Sequence, residues 1–279
     1  MAFTLFDKKY FTAGAATHTG AVRTENQDAW CCMPAAGIFA VSDGMGGGEG
    51  GELASAMVID ALRKAGQTPL KNLAAASSLV YGANAQIQAY AAEKHLRGMG
   101  ATAVALLFHP FDPAAAMLFY AGDSRCYRLR KRELEQLSAD HTVAAAMGVP
   151  EERLAARLRG VLTNAAGCGS HFFVENRDVE LRADDLYLLC SDGIYRQLGD
   201  AGLKRVLGSG APPGEIAETL VQESLRCGGD DNATAVVVAL GHRLPKVTAD
   251  VREEEAAASA RAPWEKENDA ENTVTPPTE

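Results

Sequence analysis

Residues 38–51 read Ile38-Phe39-Ala40-Val41-Ser42-Asp43-Gly44-Met45-Gly46-Gly47-Gly48-Glu49-Gly50-Gly51. A short apolar run ends in an aspartate, and a chain of small residues then leads toward an apolar-periodic segment at 50–64. That order describes a buried strand that delivers a carboxylate at its end, followed by a tight passage into a helix. The pattern recurs. Asp123 closes MLFYAGD, Asp192 closes the run LYLLCSDG, and Asp231 opens the final run DNATAVVV. The runs at 38–41, 101–108, 117–121, 186–190 and 233–240 do not alternate polar with apolar, so their strands require cover on both faces. Between them, Leu73, Ala76, Val80, Ala83, Ile87 and Ala91 step by three and four and mark one face of a long helix. Residues 151–159 and 213–226 are further helix candidates. The mixture predicts sheets sandwiched by helices, with periodicity leaving parallel and antiparallel order open.

Composition bounds the remaining choices. The chain has 279 residues, 47% hydrophobic and 23% charged, which excludes wholesale disorder and fibres and supplies a sizeable core. With 27 Lys+Arg against 36 Asp+Glu, its net charge of −9 argues against a nucleic-acid backbone or an anionic membrane surface as partner. Its apolar runs are too short to span a bilayer, and MAFTLFDKKYFTAG lacks the apolar core of a signal peptide. Six cysteines show no C-x-x-C pair and sit mostly in apolar stretches, the usage of free thiols in a reducing cytoplasm. Residues 245–279 change character. The four basic and nine acidic side chains there carry most of the net charge, with Trp264 the single aromatic. The expected organisation is a folded body over 1–244 and a disordered acidic tail over 245–279.

Four carboxylates at strand ends are the informative chemistry. If those ends share one rim, the charges repel unless protons or a cation are present. Oxygen ligands without an accompanying His/Cys set favour magnesium, manganese or calcium over zinc. Asp-Gly is also an ordinary turn dipeptide, and one sequence does not show that the four converge. The glycines at 46, 48 and 51 satisfy G-x-G-x-x-G, yet the acidic ribose ligand expected about twenty residues on is missing from RKAGQTPLK. Small residues that let the backbone pass close to an ion, with the Gly44 carbonyl as a ligand, are the simpler account. Arg23, five residues before Asp28, is suited to a bidentate grip on phosphate beside such a cluster, or to a surface ion pair.

In order, the chain carries GAVRTENQDA, FAVSDGMGGGEGGELAS, GMGATAV, FYAGDSRCYRLR, LSADHT, VLTNAAG, LLCSDGI and DDNATAVVV. Over residues 12–241 this resembles the metal-dependent Ser/Thr protein phosphatase family, the protein phosphatase 2C type, and most of all its bacterial branch. The resemblance implies an α+β four-layer sandwich: two antiparallel β-sheets flanked by helices, with the metal centre at one edge. It implies that Asp43 bridges two manganese or magnesium ions, that Gly44 offers its carbonyl, and that Asp192 and Asp231 complete the first ion. Asp123 with Asp192 resembles the site of a third ion. Arg23 matches the phosphate-binding arginine, and Asp28 an acid that holds metal-bound water. The implied reaction is hydrolysis of phosphoserine and phosphothreonine in proteins by direct attack of a metal-bridging water or hydroxide, with no covalent enzyme intermediate.

The expected setting is bacterial signal transduction: a cytoplasmic monomer opposing a Ser/Thr kinase. A pseudophosphatase acting as a phospho-dependent binding module is the alternative. Departures from the family pattern are Gln27 where Glu is usual, His18 where an acid is common, and Met45 where eukaryotic relatives carry a histidine. His141 is read as a structural hydrogen-bonding residue rather than an acid. Residues 143–160 correspond to the flap beside the site, with Arg153, Arg157 and Arg159 as a solvated face. Thr273, Thr275 and Thr278 are candidate kinase sites.

Overall fold

The structure is a computed structural model that describes residues 10–46, 49–67, 74–109 and 112–244. Along the chain run β1 (Phe11–His18), β2 (Asp28–Met33), β3 (Ile38–Met45), α1 (Glu49–Gln67), α2 (Ala74–Lys94), β4 (Gly100–Ala101), β5 (Ala103–Phe108) and β6 (Ala115–Ala121). They continue with β7 (Arg125–Arg130), β8 (Glu133–Gln136), α3 (Val143–Met147), β9 (Glu175–Glu180), β10 (Leu186–Cys190), α4 (Asp192–Leu207), α5 (Pro213–Arg226) and β11 (Ala233–Leu240). One sheet has the order β1-β11-β10-β7-β8, and the other β2-β3-β5-β6-β9 with β4 paired to β3. Every described pairing is antiparallel. This settles the strand direction that periodicity left open and gives the α+β four-layer sandwich.

Side-chain alternation sorts each solid apolar run into two cores. In β3, Ile38 and Ala40 pack toward α1 and α2, whereas Phe39 and Val41 face the opposite sheet. In β5, Ala103, Ala105 and Leu107 join the first core, and Val104, Leu106 and Phe108 the second. β11 does the same on the other side: Val236, Val238 and Leu240 lie between the sheets, and Ala233, Ala235 and Val237 lie beneath α4 and α5. Period-two geometry with a hydrophobic layer on each side produces an uninterrupted apolar run whatever the strand direction. Between the sheets, Phe11, Phe39 and Phe108 meet edge to face, with ring centroids 5.0–5.8 Å apart.

Helices at 50–64 and 213–226 appear as α1 and α5, and Ala76, Val80, Ala83 and Ile87 form the buried face of α2. Leu73, residues 245–279 and the three threonines of the tail lie outside the described residues. The helix expected at 151–159 is instead two 3-10 turns, Glu151–Arg153 and Ala156–Leu158. After one turn the backbone leaves helical conformation at Leu154 (ψ 150°) and Ala155 (ψ 141°), and again at Arg159 (ψ 137°), so helical hydrogen bonding never propagates. The expected strand at 101–108 breaks at Thr102, whose hydroxyl and carbonyl bind the end of β3. α4 was not expected. Asp192-Gly193 reads as a turn, but Ser191 in extended conformation starts a helix there, and Gly199 at φ +59° kinks it.

One close approach sets the spacing of a helix layer. A Cβ on Gly14 of β1 would lie 2.4 Å from the Gly214 backbone of α5, whereas a Cβ on Gly214 meets nothing. Gly14→Ala is expected to cost about 1–3 kcal/mol, and Gly214→Ala to lie within about 0.5 kcal/mol of the parent, measured by urea unfolding. Equal stabilities of the two variants would contradict this packing.

Candidate metal centre

Strand pairing alone brings the first two acids together. Asp28 and Asp43 are direct Cα partners in the β2–β3 ladder, so both side chains leave the same face. Like charges in that position destabilise a sheet. Asp123 follows β6 in a turn made by Gly122, whose φ of +101° and contact with Thr102, 2.6 Å from a would-be Cβ, leave room for glycine alone. Asp192 is the first residue of α4, and Asp231 stands two residues before β11. Asp43, Asp123, Asp192 and Asp231 line one cavity of about 450 Å³, together with Arg23, Gln27, Gly44 and Met45. Asp28 sits behind this lining, against Asp43.

Neutral donors hold the frame. The Asp43 amide donates to Thr102 Oγ1 at 2.9 Å, and Ser42 Oγ donates to the Thr102 carbonyl at 2.6 Å. Ser191 Oγ donates to Asp28 Oδ2 at 2.7 Å while accepting from the Thr234 amide at 3.0 Å. Asn232 Nδ2 donates to the carbonyls of Thr19 and Glu25, and its Oδ1 accepts from the Gln27 amide at 2.9 Å. That amide group fastens the loop carrying Arg23 to the start of β11. Gly44 is required by space. Its amide donates to the Gln27 carbonyl, and a Cβ would stand 2.0 Å from the Gly51 carbonyl oxygen. The glycine run thus seats α1 against β3. The dinucleotide reading fails on topology, because the strands joined through α1 and α2 are antiparallel and no βαβ unit forms.

Burial and mutual repulsion dominate the electrostatics. Desolvation pushes Asp28 and Asp123 up to about 7; for Asp28 the neighbouring Asp192 and Asp231 add to it, and for Asp123 Asp192 does. Asp43 is pushed well above the carboxylate range by desolvation, then by Asp28, Asp192, Asp123 and Asp231, and Asp192 is raised chiefly by desolvation. Asp28 Oδ1 and Asp192 Oδ1 are buried with no hydrogen-bond partner. Two orphaned anionic oxygens among clustered acids are a donor set suited to hard cations. Two arginines meet part of the charge: Arg23 binds Asp231 at 2.8 Å, and Arg196 reaches Asp192 at 3.0 Å and Asp123 at 3.3 Å. With the side chains turned to these arginines, no three acids, imidazoles or thiols among the described residues converge on one point at ligand distance.

The remaining candidates fall outside the cluster. His141 Nδ1 accepts from the Gly122 amide at 3.1 Å and lies 3.0 Å from Asn164 Nδ2, and its ring stacks on Tyr120. Asp140 turns away to a two-bond contact with Arg125. His141 therefore braces the Asp123 turn against residues 162–166, as a structural residue does. His18 is exposed and accepts from the Gly20 amide. Arg153 and Arg157 are exposed, and Arg159 binds the carbonyls of Glu152 and Leu154. Sequence reasoning missed Thr102, Ser191 and Arg196. The i,i+4 spacing of Asp192 and Arg196 was the available signal, hidden because α4 was not expected.

Raised native pKa values carry a sign. Asp28 and Asp123 bind protons more tightly folded than unfolded, so their stabilising contribution is complete below about pH 4 and is lost as pH rises through about 7; Asp43 is shifted in the same direction. A divalent cation competing for the same oxygens restores it. Saturating manganese is therefore expected to raise Tm more at about pH 8 than at about pH 5. Equal shifts, or none, in differential scanning fluorimetry would contradict the cluster.

The sequence profile described as Stage II sporulation protein E (SpoIIE) matches residues 35–240. The serine/threonine protein phosphatase PstP of Mycobacterium tuberculosis (strain CDC 1551 / Oshkosh) is 36% identical over 234 residues. That match covers 80% of this chain and 44% of PstP, so the chain spans less than half of that relative's length. Among solved structures, PppA, described as a key regulatory component of the T6SS in Pseudomonas aeruginosa, aligns with a TM-score of 0.75 at 31% identity, covering 83% of this chain and 98% of PppA. The catalytic domain of PstP, solved in complex with two manganese ions, aligns with a TM-score of 0.74 at 34% identity, covering 83% of this chain and 99% of that one. With its sandwich, its clustered aspartates and these likenesses, the chain belongs to the metal-dependent serine/threonine protein phosphatase family of the protein phosphatase 2C type.

Proposed function

We propose that the chain hydrolyses phosphoserine and phosphothreonine in proteins, using two manganese or magnesium ions held by Asp43, the Gly44 carbonyl, Asp192 and Asp231. The observation that carries this reading is the convergence of acids from β3, the β6–β7 turn, α4 and the approach to β11 on one cavity with Arg23 at its edge. Bound divalent ions supply Lewis acidity to the phosphoryl oxygens and make water a nucleophile near neutral pH. Everything else is the work of the chain. Arg23 is half exposed and already poised against Asp231, so its fork can turn to the phosphate. Asn232 fixes the loop that carries Arg23. Asp28, with Oδ2 held by Ser191 and Oδ1 unpartnered, keeps one free acceptor beside Asp43 for a proton.

The PstP complex with two manganese ions supports this ion count. Substrates are phosphorylated proteins, and a Ser/Thr kinase of the same cell is the opposing activity. No helix among the described residues is long and apolar enough to cross a membrane. Six free thiols, with Cys31, Cys126 and Cys190 buried, agree with the reducing cytoplasm as its compartment. The pseudophosphatase alternative is disfavoured because Arg23 and every family-matched acid face the same cavity or its rear wall.

Hydrolysis of a phosphothreonine peptide with manganese is expected, with loss of at least about 10²-fold in kcat on Asp192→Asn and abolition by EDTA. Phosphopeptide binding without turnover would establish the binding-module alternative. Gln27 lines the cavity where the family usually has Glu. Gln27→Glu is expected to lower the manganese concentration for half-maximal activity by about three- to tenfold. An unchanged manganese dependence would remove any role for Gln27 in ion affinity.

A further inference from the structure

Arg196 lies one helical turn beyond Asp192, and its guanidinium is shared by three carboxylates. Nε lies 3.0 Å from Asp192 Oδ2, Nη2 lies 3.3 Å from Asp123 Oδ2, and Nη1 lies 3.4 Å from the Glu151 carboxylate. These acids come from α4, from the β6–β7 turn and from the 3-10 turn Glu151–Arg153 of the flap. Gly160 leaves room beside the same group, since a Cβ there would stand 3.8 Å from Nη2. The other side of the cavity is different. Arg23 meets Asp231, and among the described residues no ion pair reaches Asp28 or Asp43. Permanent positive charge is therefore installed between Asp123 and Asp192 and lacking around Asp28 and Asp43. A guanidinium stays charged across the working pH range and presents donors only, so it satisfies the same oxygens that a hard cation would.

We propose that Arg196 is a tethered cation occupying the place of a divalent ion between Asp123 and Asp192. The centre then holds two ions tightly on the Asp43 side and admits one at Asp123 only by displacing the guanidinium onto Glu151. This rests on the metal-centre reading above and refines it, because it assigns the expected third place to a side chain. It also links the flap to the cluster, since Glu151 is the partner that the displaced arginine keeps.

The test is manganese binding to the full chain by isothermal titration calorimetry, with bound ions counted by electron paramagnetic resonance. The parent is expected to bind two ions tightly. Arg196→Gln is expected to gain a further ion or about tenfold in affinity for the weakest one, while Arg196→Lys, which keeps the charge, stays like the parent. Asp123→Asn, in which Arg196 remains, is expected still to bind two ions tightly, because neither tight ion is held by the Asp123 carboxylate. Parent-like binding by Arg196→Gln, glutamine-like behaviour of Arg196→Lys, or loss of a tight ion in Asp123→Asn would each overturn the proposal. Failure of all the proteins to bind manganese would instead overturn the metal centre itself.

Discussion

Repulsion among buried carboxylates at one edge of the sandwich is the constraint on which the rest of the structure depends. Asp28 and Asp43 face each other across adjacent strands, and Asp192, Asp123 and Asp231 close in from three other elements. A fold selected for stability alone would not place them so, because each added negative charge in a desolvated corner raises the cost of the others. The arrangement makes sense where cations bind the folded chain and not the unfolded one, turning the repulsion into affinity.

Holding charges against their repulsion requires rigid supports, and the supports are neutral. Thr102, Ser191 and Asn232 bind the backbone or the acids beside the cluster, and each is buried. Three hydrophobic layers, one between the sheets and one on the outer face of each, keep the strand ends in register, so the acids do not spread to relieve their repulsion. The glycines at 44 and 122 remove the side chains that would separate the pieces. Arginine completes the balance: Arg23 pairs with Asp231 at the cavity edge, and Arg196 lies among Asp123, Asp192 and Glu151.

Much of this was legible in the sequence, for physical reasons that differ by element. Solid apolar runs such as 186–190 and 233–240 must be buried on both faces, and they are strands. They carry no information on strand direction, which came from the family resemblance. α5 was legible because its apolar positions repeat at helical spacing, whereas in residues 151–159 the backbone turns extended at Leu154 and Ala155, a break that side-chain spacing does not signal. β1 and β2 went unread because Thr, His and Gly interrupt β1 and both strands are only partly buried. In the site, the aspartates at run ends were readable. The polar residues that restrain them were not, since a lone Thr or Ser in an apolar run looks like any other. Arg196 was hidden for a further reason: its meaning depends on a helix that begins at Asp192.

An anomalous-scattering map from a manganese-soaked crystal addresses the central claim most directly. Ion peaks within about 2–2.6 Å of the Asp43 carboxylate, shared with Asp192 and Asp231, are the predicted result. A fully occupied map with manganese bound elsewhere, and those three carboxylates facing only water or arginine, would contradict the account.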